Sequence, residues 1–437
     1  MNKVEAEGLI YRSFLRAEAH QQYDARDAHK RNPALSKEVI ESLCATPCVV
    51  VTGSKGKGSV AEMVSQILQT SMRVGLMTSP HIIDFCERFK VNGISISDND
   101  FIRHAAEAYA RFETIDNALP QDVYISPMAL QAALALQYFN EQKTDFNVFE
   151  CGKGARYDDV NNILHDYAII NTIFLEHTRE LGSTLQLIAS DKASVINGKQ
   201  KCVFVAEQTP EVLEVIMQQA HQHNTPIKVY GTDFYATNIA YTRSGMCFDV
   251  VVGAKTFSNL SLPLMGEHQA RNCALAMALA VDVLAHIDEA ALRRNLGALS
   301  RPGRMEVISN NPFIMLDACI NGESCEHVKQ VIAHLQLGRC TTIIGIPADK
   351  DYIGVAKAMQ SVSQRVILTQ SHNPHYRFAS HQCSTLALEG IEAIWAESIT
   401  EAIAEACQAP HPIVILGTTS LITEVKKWQQ GGDVVVC

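Results

Sequence analysis

The chain has 437 residues, 47% apolar and 19% charged, with a formal net charge of -10, and that length asks for two domains or three. The acidic balance excludes a protein that grips nucleic acid through a broad basic surface, but a few cations and backbone N–H groups still suffice for an anionic ligand. No stretch approaches the roughly 20 apolar residues of a membrane span, and the thirteen cysteines lie scattered without CxxC pairs, which points to reduced, buried thiols, with a zinc site as the alternative.

In chain order, Met1–His20 alternates charged and apolar residues without the apolar core of a signal peptide, so a cytoplasmic protein is expected. Strands are expected at Cys48–Thr52, Val74–Thr78, Asn147–Glu150, Ala168–Ile173 and Cys202–Ala206. Helical patterns such as Val60–Thr70 and Pro127–Tyr138 fall between them, the alternation of a mostly parallel sheet covered on both faces. Asn238–Leu264 breaks the rhythm and suggests a small antiparallel patch turning at Arg243–Gly245. An alanine-rich helix follows at His268–Ala285, and Arg301-Pro302-Gly303-Arg304 marks a hinge. A second α/β cycle then brings strands at Ile314–Ala318, Thr342–Ile346, Val366–Thr369 and Ile413–Leu416. The expected class is therefore α/β. A P-loop ATP-binding domain with a mostly parallel sheet covers residues 1–299, and a smaller Rossmann-like domain covers residues 300–437.

The chemistry starts at Val49-Val50-Val51-Thr52-Gly53-Ser54-Lys55-Gly56-Lys57-Gly58-Ser59. A buried strand runs into a glycine loop and then a helix expected to begin after Ser59. Backbone N–H groups of such a loop surround a phosphate, Lys57 neutralises the β- and γ-phosphates, and the Ser59 hydroxyl can hold Mg²⁺. A glycine-rich surface turn is the alternative, since the usual first glycine falls on Val51 and an extra glycine separates Lys57 from Ser59. Glu150 ends a strand, where a hard cation finds an oxygen ligand.

The run Thr52–Ser59 resembles the GTNGKGS loop of folylpolyglutamate and dihydrofolate synthases in the Mur ligase superfamily. Thr78-Ser79-Pro80-His81, Phe85, Glu87-Arg88, Asn92-Gly93 and Ile96 are similar to that family's next signature, a loop that closes over ATP and the acceptor. Glu150, Gly152, Gly154, Arg156, Asp158 and Asn161 keep the spacing of EVGLGGRLDATN, which implies Glu150 as a Mg²⁺ ligand beside Ser59. Leu175-Glu176-His177-Thr178 resembles LDHT, which implies His177 at a second metal site. Ile188-Ala189-Ser190-Asp191-Lys192-Ala193 resembles IA.EKA, whose lysine is carbamylated in many Mur-type ligases and so becomes a metal ligand; an exposed helical lysine is the plain alternative for Lys192. Gly266–Asn272 is similar to G.HQ..N, implying Asn272 at the adenine edge and Gln269 alongside the nucleotide. Pro302-Gly303-Arg304 resembles PGR, implying Arg304 at the phosphates.

Asp317-Ala318-Cys319-Ile320-Asn321 falls where the family carries DGAHN. Asp317 is implied near the ribose, and Ile320 replaces a histidine beside the reactive phosphate. The resemblance thus implies an ATP- and Mg²⁺-dependent, ADP-forming amide ligase. It would bind nucleotide through Gly53, Ser54, Lys55, Gly56, Lys57, Gly58, Ser59, Gln269, Asn272, Arg304 and Asp317, with Lys57, His177, Lys192 and Arg304 in catalysis. Its partners would be a carboxylate acceptor and an amino acid, glutamate and a folate by analogy, with no nucleic acid or membrane, and the chain a monomer or weak oligomer. A non-folate acceptor, or an inactive nucleotide-binding protein, are the alternatives.

Overall fold

The computed structural model describes residues 1–20, 26–242, 244–373 and 376–430. They form two compact units. The first comprises Met1–Thr237, Asp249–Ser258 and Arg271–Leu296, and the second Asn238–Phe248, Asn259–Ala270 and residues from Gly297 onward.

The first unit is built on an eight-stranded sheet. Its strands are β1 (Cys48–Thr52), β2 (Val74–Met77), β3 (Phe89–Val91), β4 (Ile94–Ser95), β5 (Phe146–Glu150), β6 (Tyr167–Ile170), β7 (Cys202–Val205) and β8 (Ile227–Val229), in spatial order β4-β3-β2-β5-β1-β6-β7-β8. From β2 to β8 all pairings are parallel. Every residue of β1 and β5 is buried, as a central strand covered on both faces requires. Helix Pro127–Glu141 starts cleanly because the Ser126 side chain accepts from the Met128 N–H and proline stands in the first turn. The antiparallel β3–β4 edge was not expected, although Asn92 and Gly93, both at positive φ, supply the turn.

A three-stranded sheet follows, β9 (Phe234–Thr242), β10 (Gly245–Val252) and β11 (Lys255–Leu262), where the antiparallel patch was expected. Arg243 of its expected turn lies outside the described residues. The second unit carries β12 (Glu306–Asn310), β13 (Phe313–Asp317), β14 (Cys340–Gly345), β15 (Ser363–Thr369), β16 (Ala393–Ala396) and β17 (Ile413–Gly417), ordered β12-β13-β17-β14-β15-β16. Only β12 runs antiparallel to its neighbour. Both sheets are thus the mostly parallel α/β type that the pattern implied.

Expected and observed elements differ mainly at their ends. The strand expected at Ala168–Ile173 stops at Ile170, opposite Thr52, where its partner β1 ends. The helix expected after Ser59 begins at Lys57, because Gly56 adopts a left-handed conformation and caps it. Eleven described cysteines are free thiols, while Cys407 is disulfide-bonded, against expectation. No helix among the described residues is long and apolar enough to cross a membrane.

Packing under β2 leaves no room for a methyl group at Gly75. A Cβ there would lie 2.4 Å from Asn147 Oδ1 and 2.7 Å from the Phe139 ring. Gly75→Ala should therefore cost about 1–3 kcal/mol of stability, read as a lower urea midpoint with an unchanged slope.

Candidate active site

β1 sits between β5 and β6, so its carboxyl end opens beside theirs, the usual ligand position in an open parallel sheet. The loop leaving it is held from below. Ser54 N–H donates to Thr172 O at 2.9 Å, and the Ser54 hydroxyl bridges the Phe174 backbone. Gly56 has φ +79°, and a Cβ there would lie 2.6 Å from Asn171 Nδ2 and 3.2 Å from Asn272 Nδ2. Only glycine fits this point. Gly58 and Ser59 are buried in the first turn of helix Lys57–Leu68, while Lys55 faces solvent.

Two ammonium groups converge on one carbonyl. Lys57 Nζ and Lys192 Nζ each donate to Gly53 O at 2.9 Å. Lys192 is 0% exposed, against the exposed helical lysine that sequence alone would favour. Its Nζ also donates to Lys153 O at 2.6 Å and pairs with Glu176 Oε1 at 3.0 Å. Burial, and next the nearby Lys57 charge, lower its pKa.

The preceding residue, Asp191, accepts the Ala155 N–H at 2.7 Å, so the end of helix Leu185–Lys192 clamps the loop after Glu150 from two sides. Asp158 adds a third hold by accepting the Gly152 and Val160 N–H groups. Glu150 is 5% exposed, pairs in register with Val51 and accepts the Ser79 N–H at 2.8 Å. His177 takes a left-handed conformation (φ +45°) ahead of a short helix, with Nε2 3.8 Å from Glu176 Oε2. Burial lowers the His177 pKa, which keeps a ring lone pair available. Glu176 therefore lies between His177 and Lys192.

Asn272, on helix Glu267–Val283, accepts from Asn171 Nδ2 at 3.1 Å. Asn171 and Glu176 carried no expected role. Asn171 had a signal, being a polar residue directly after a buried strand next to β1; the partner of Glu176 is set by folding alone.

The first unit thus gathers Gly53, Ser54, Gly56, Lys57, Ser59, Glu150, Lys192 and Asn272 around the ends of β1, β5 and β6. The second unit holds Gln269, 2% exposed near the start of its helix. There Asp317, at the end of β13, accepts the Met305 N–H at 2.9 Å and so fixes the turn carrying Arg304. Ile320 follows on the next loop and is 38% exposed.

Comparison with known proteins agrees with this geometry. Residues 51–280 match the family described as Mur ligase middle domain, and residues 303–419 match Mur ligase, glutamate ligase domain. The chain is 29% identical over 389 residues to a dihydrofolate synthase/folylpolyglutamate synthase of Bacillus subtilis, covering 86% of this chain and 89% of that one. A folylpolyglutamate synthase of Mycobacterium tuberculosis complexed with ADP and AMPPCP superposes with TM-score 0.82 at 25% identity, covering 91% and 94% of the two chains. An FPGS–AMPPCP–folate complex superposes with TM-score 0.81 at 25% identity, covering 99% and 100%.

Two outcomes follow from the buried contacts. Asn171→Leu strands the Thr172 N–H, which now donates to Asn171 Oδ1, and removes the donor to Asn272. A cost of about 1–3 kcal/mol is expected, together with weaker AMPPCP binding in calorimetry. Lys192 gives a pH signature. Its folded pKa lies below 10.5, the ordinary lysine value that it regains on unfolding, so between the two the unfolded chain binds more protons and this group's contribution to stability rises with pH. Lys192→Met should flatten that alkaline rise in melts against the parent; an unchanged slope would refute the buried ammonium.

Proposed function

The chain belongs to the Mur ligase family, and on that premise we propose that it is an ATP-dependent ligase joining glutamate to the carboxylate of a folate. The acceptor carboxylate attacks the γ-phosphorus of ATP and ADP leaves, giving an acyl phosphate. The glutamate amine then displaces phosphate to form the amide. The observation that carries this reading is the convergence of Lys57 and Lys192 on Gly53 O, beside Ser59 and Glu150 at the strand ends.

Lys57 leaves Gly53 O for the β- and γ-phosphates when nucleotide enters, and the N–H groups of the Gly53–Ser59 segment, including Ser54, Lys55, Gly56 and Gly58, surround them. Asn272 reads the adenine edge, Gln269 lies along the nucleotide, Asp317 serves the ribose and Arg304 the phosphates. Mg²⁺ would supply charge neutralisation at the transferring phosphoryl group. Ser59 and Glu150 fit it, since both offer the oxygen donors that a hard cation takes. As an ammonium Lys192 offers no lone pair; as a carbamate it would present oxygens beside His177 for a second ion. Its lowered pKa favours that reaction with CO₂, because only the neutral amine adds. We keep residues 1–299 and 300–437 as the two domains, supported by family matches that end at 280 and resume at 303. Eight buried free thiols support a cytoplasmic enzyme, although Cys407 is disulfide-bonded, and we keep a monomer or weak oligomer as its state.

A second reading has the same chemistry on a non-folate acceptor. The exposed Ile320 favours it, because an apolar group stands where the family presents an imidazole.

The test is ADP release and product mass with ATP, Mg²⁺, glutamate and a panel of carboxylates. Release with folates supports the first reading, release only with other acceptors the second, and none with any acceptor refutes both. Lys57→Ala should lower ADP formation about 100-fold or more; near-parent activity would refute the loop's role.

A further inference from the structure

The loop between β2 and β3 holds a cation that no described carboxylate pairs with directly, Glu150 and Glu7 acting on it only from a distance. Arg88 Nε donates to His81 Nδ1 at 3.0 Å, and Nη1 donates to Gln131 Oε1 at 2.8 Å. Its guanidinium lies 4.6 Å from the centre of the Phe85 ring. All three neighbours are neutral. Among the described residues no carboxylate forms an ion pair with Arg88, and its Nη2 donates to none of them. Desolvated charges are ordinarily paired, because their lost hydration is otherwise uncompensated.

The orientation is fixed on both sides. Gln131, 2% exposed, spends its Nε2 on Pro127 O at 3.0 Å, so its oxygen faces the arginine. His81 must accept through Nδ1, because Arg88 Nε can only donate. Its ring is therefore the neutral tautomer with hydrogen on Nε2, in keeping with a pKa lowered by burial and then by Arg88. One loop thus presents two kinds of donor, the Arg88 Nη2 amino group and His81 Nε2–H. The Thr78 N–H donates to Arg88 O, and the Glu87 carboxylate accepts the N–H groups of Ile82, Ile83 and Asp84, which stiffens the loop. Ser79 of the same loop holds Glu150, whose charge is among those acting on Arg88.

We propose that Arg88, with His81 Nε2–H, is the binding site for a substrate carboxylate. The inference rests on the ligase reading above and names a recognition element for it. The P-loop lysines answer the phosphates of ATP, which leaves the carboxylates as the anions still to be received. Both the acceptor and the amino acid bring one, and a planar guanidinium fork beside an imidazole N–H suits that group.

The experiment compares the parent with Arg88→Gln, Arg88→Lys and Gln131→Glu. The last is nearly isosteric and gives Arg88 a permanent carboxylate partner. AMPPCP affinity by calorimetry and KM values for ATP, folate and glutamate are measured. Arg88→Gln and Gln131→Glu should each raise the KM of one carboxylate substrate about tenfold or more, as loss of a charged contact does. ATP KM and AMPPCP affinity should stay near parent values, and Arg88→Lys should recover part of the loss. A rise confined to folate identifies the acceptor, and one confined to glutamate the amino acid. Unchanged KM for both, or a parallel loss of AMPPCP binding, overturns the proposal while leaving the function standing. A parent inactive with every carboxylate tested sinks the function and this inference with it.

Discussion

The Gly53 carbonyl accepts from two lysine ammonium groups, and most of the first unit's site is arranged around that contact. Two like charges drawn to one oxygen repel each other, and Lys192 has no water to relieve it. Such a pair persists because Glu176 and Lys153 O compensate Lys192, leaving Lys57 as the cation at the partly open side of the loop. On the proposed reading, a polyanionic nucleotide is the ligand that would relieve the repulsion that remains. On that reading, attraction to phosphate is built into the loop by its own paired lysines.

Rigidity around this point comes from carboxylates that accept backbone N–H groups. Asp158 and Asp191 hold the loop after Glu150, and Glu87 holds the loop before Arg88. In the second unit Asp317 does the same for the Arg304 turn. Each of these acids fixes backbone by accepting its N–H groups, which holds the charged side chains on the same loops in place. Charge-assisted bonds of this kind are stronger than neutral ones and hold irregular loops without a regular hydrogen-bond ladder. Phosphoryl transfer asks for that kind of positioning, since its catalysis is chiefly placement and charge neutralisation.

How far the site was legible depended on the reach of each signal. Ser54, Gly56, Lys57 and Ser59 form a contiguous motif, and strand-then-glycine patterning implied their place at the end of β1. Glu150 was legible for the same reason, as the last residue of a strand that pairs with β1. Asn92-Gly93 is a local turn signal, yet the β3–β4 hairpin was not expected, because the flanking strands are too short to show a period. Glu176 was invisible as a partner of Lys192, and so was Gln131 as a partner of Arg88, 43 positions away in sequence. No periodicity links residues on separate elements.

Alternation of apolar runs and helical patterns determined two mostly parallel sheets, and glycine spacing determined a strand-to-helix turn after β1, because both follow from local backbone sterics and one-sided burial. Tertiary structure decided the protonation and pairing of the ionisable groups. Lys192 was marked in the sequence only by its resemblance to the family's lysine, with an exposed helical residue as the alternative; folding removes it from water and sets it against Lys57 and Glu176. His81 becomes a neutral donor only because Arg88 occupies its other nitrogen. Desolvation and the neighbouring charges set such properties, and both exist only once distant segments have packed together.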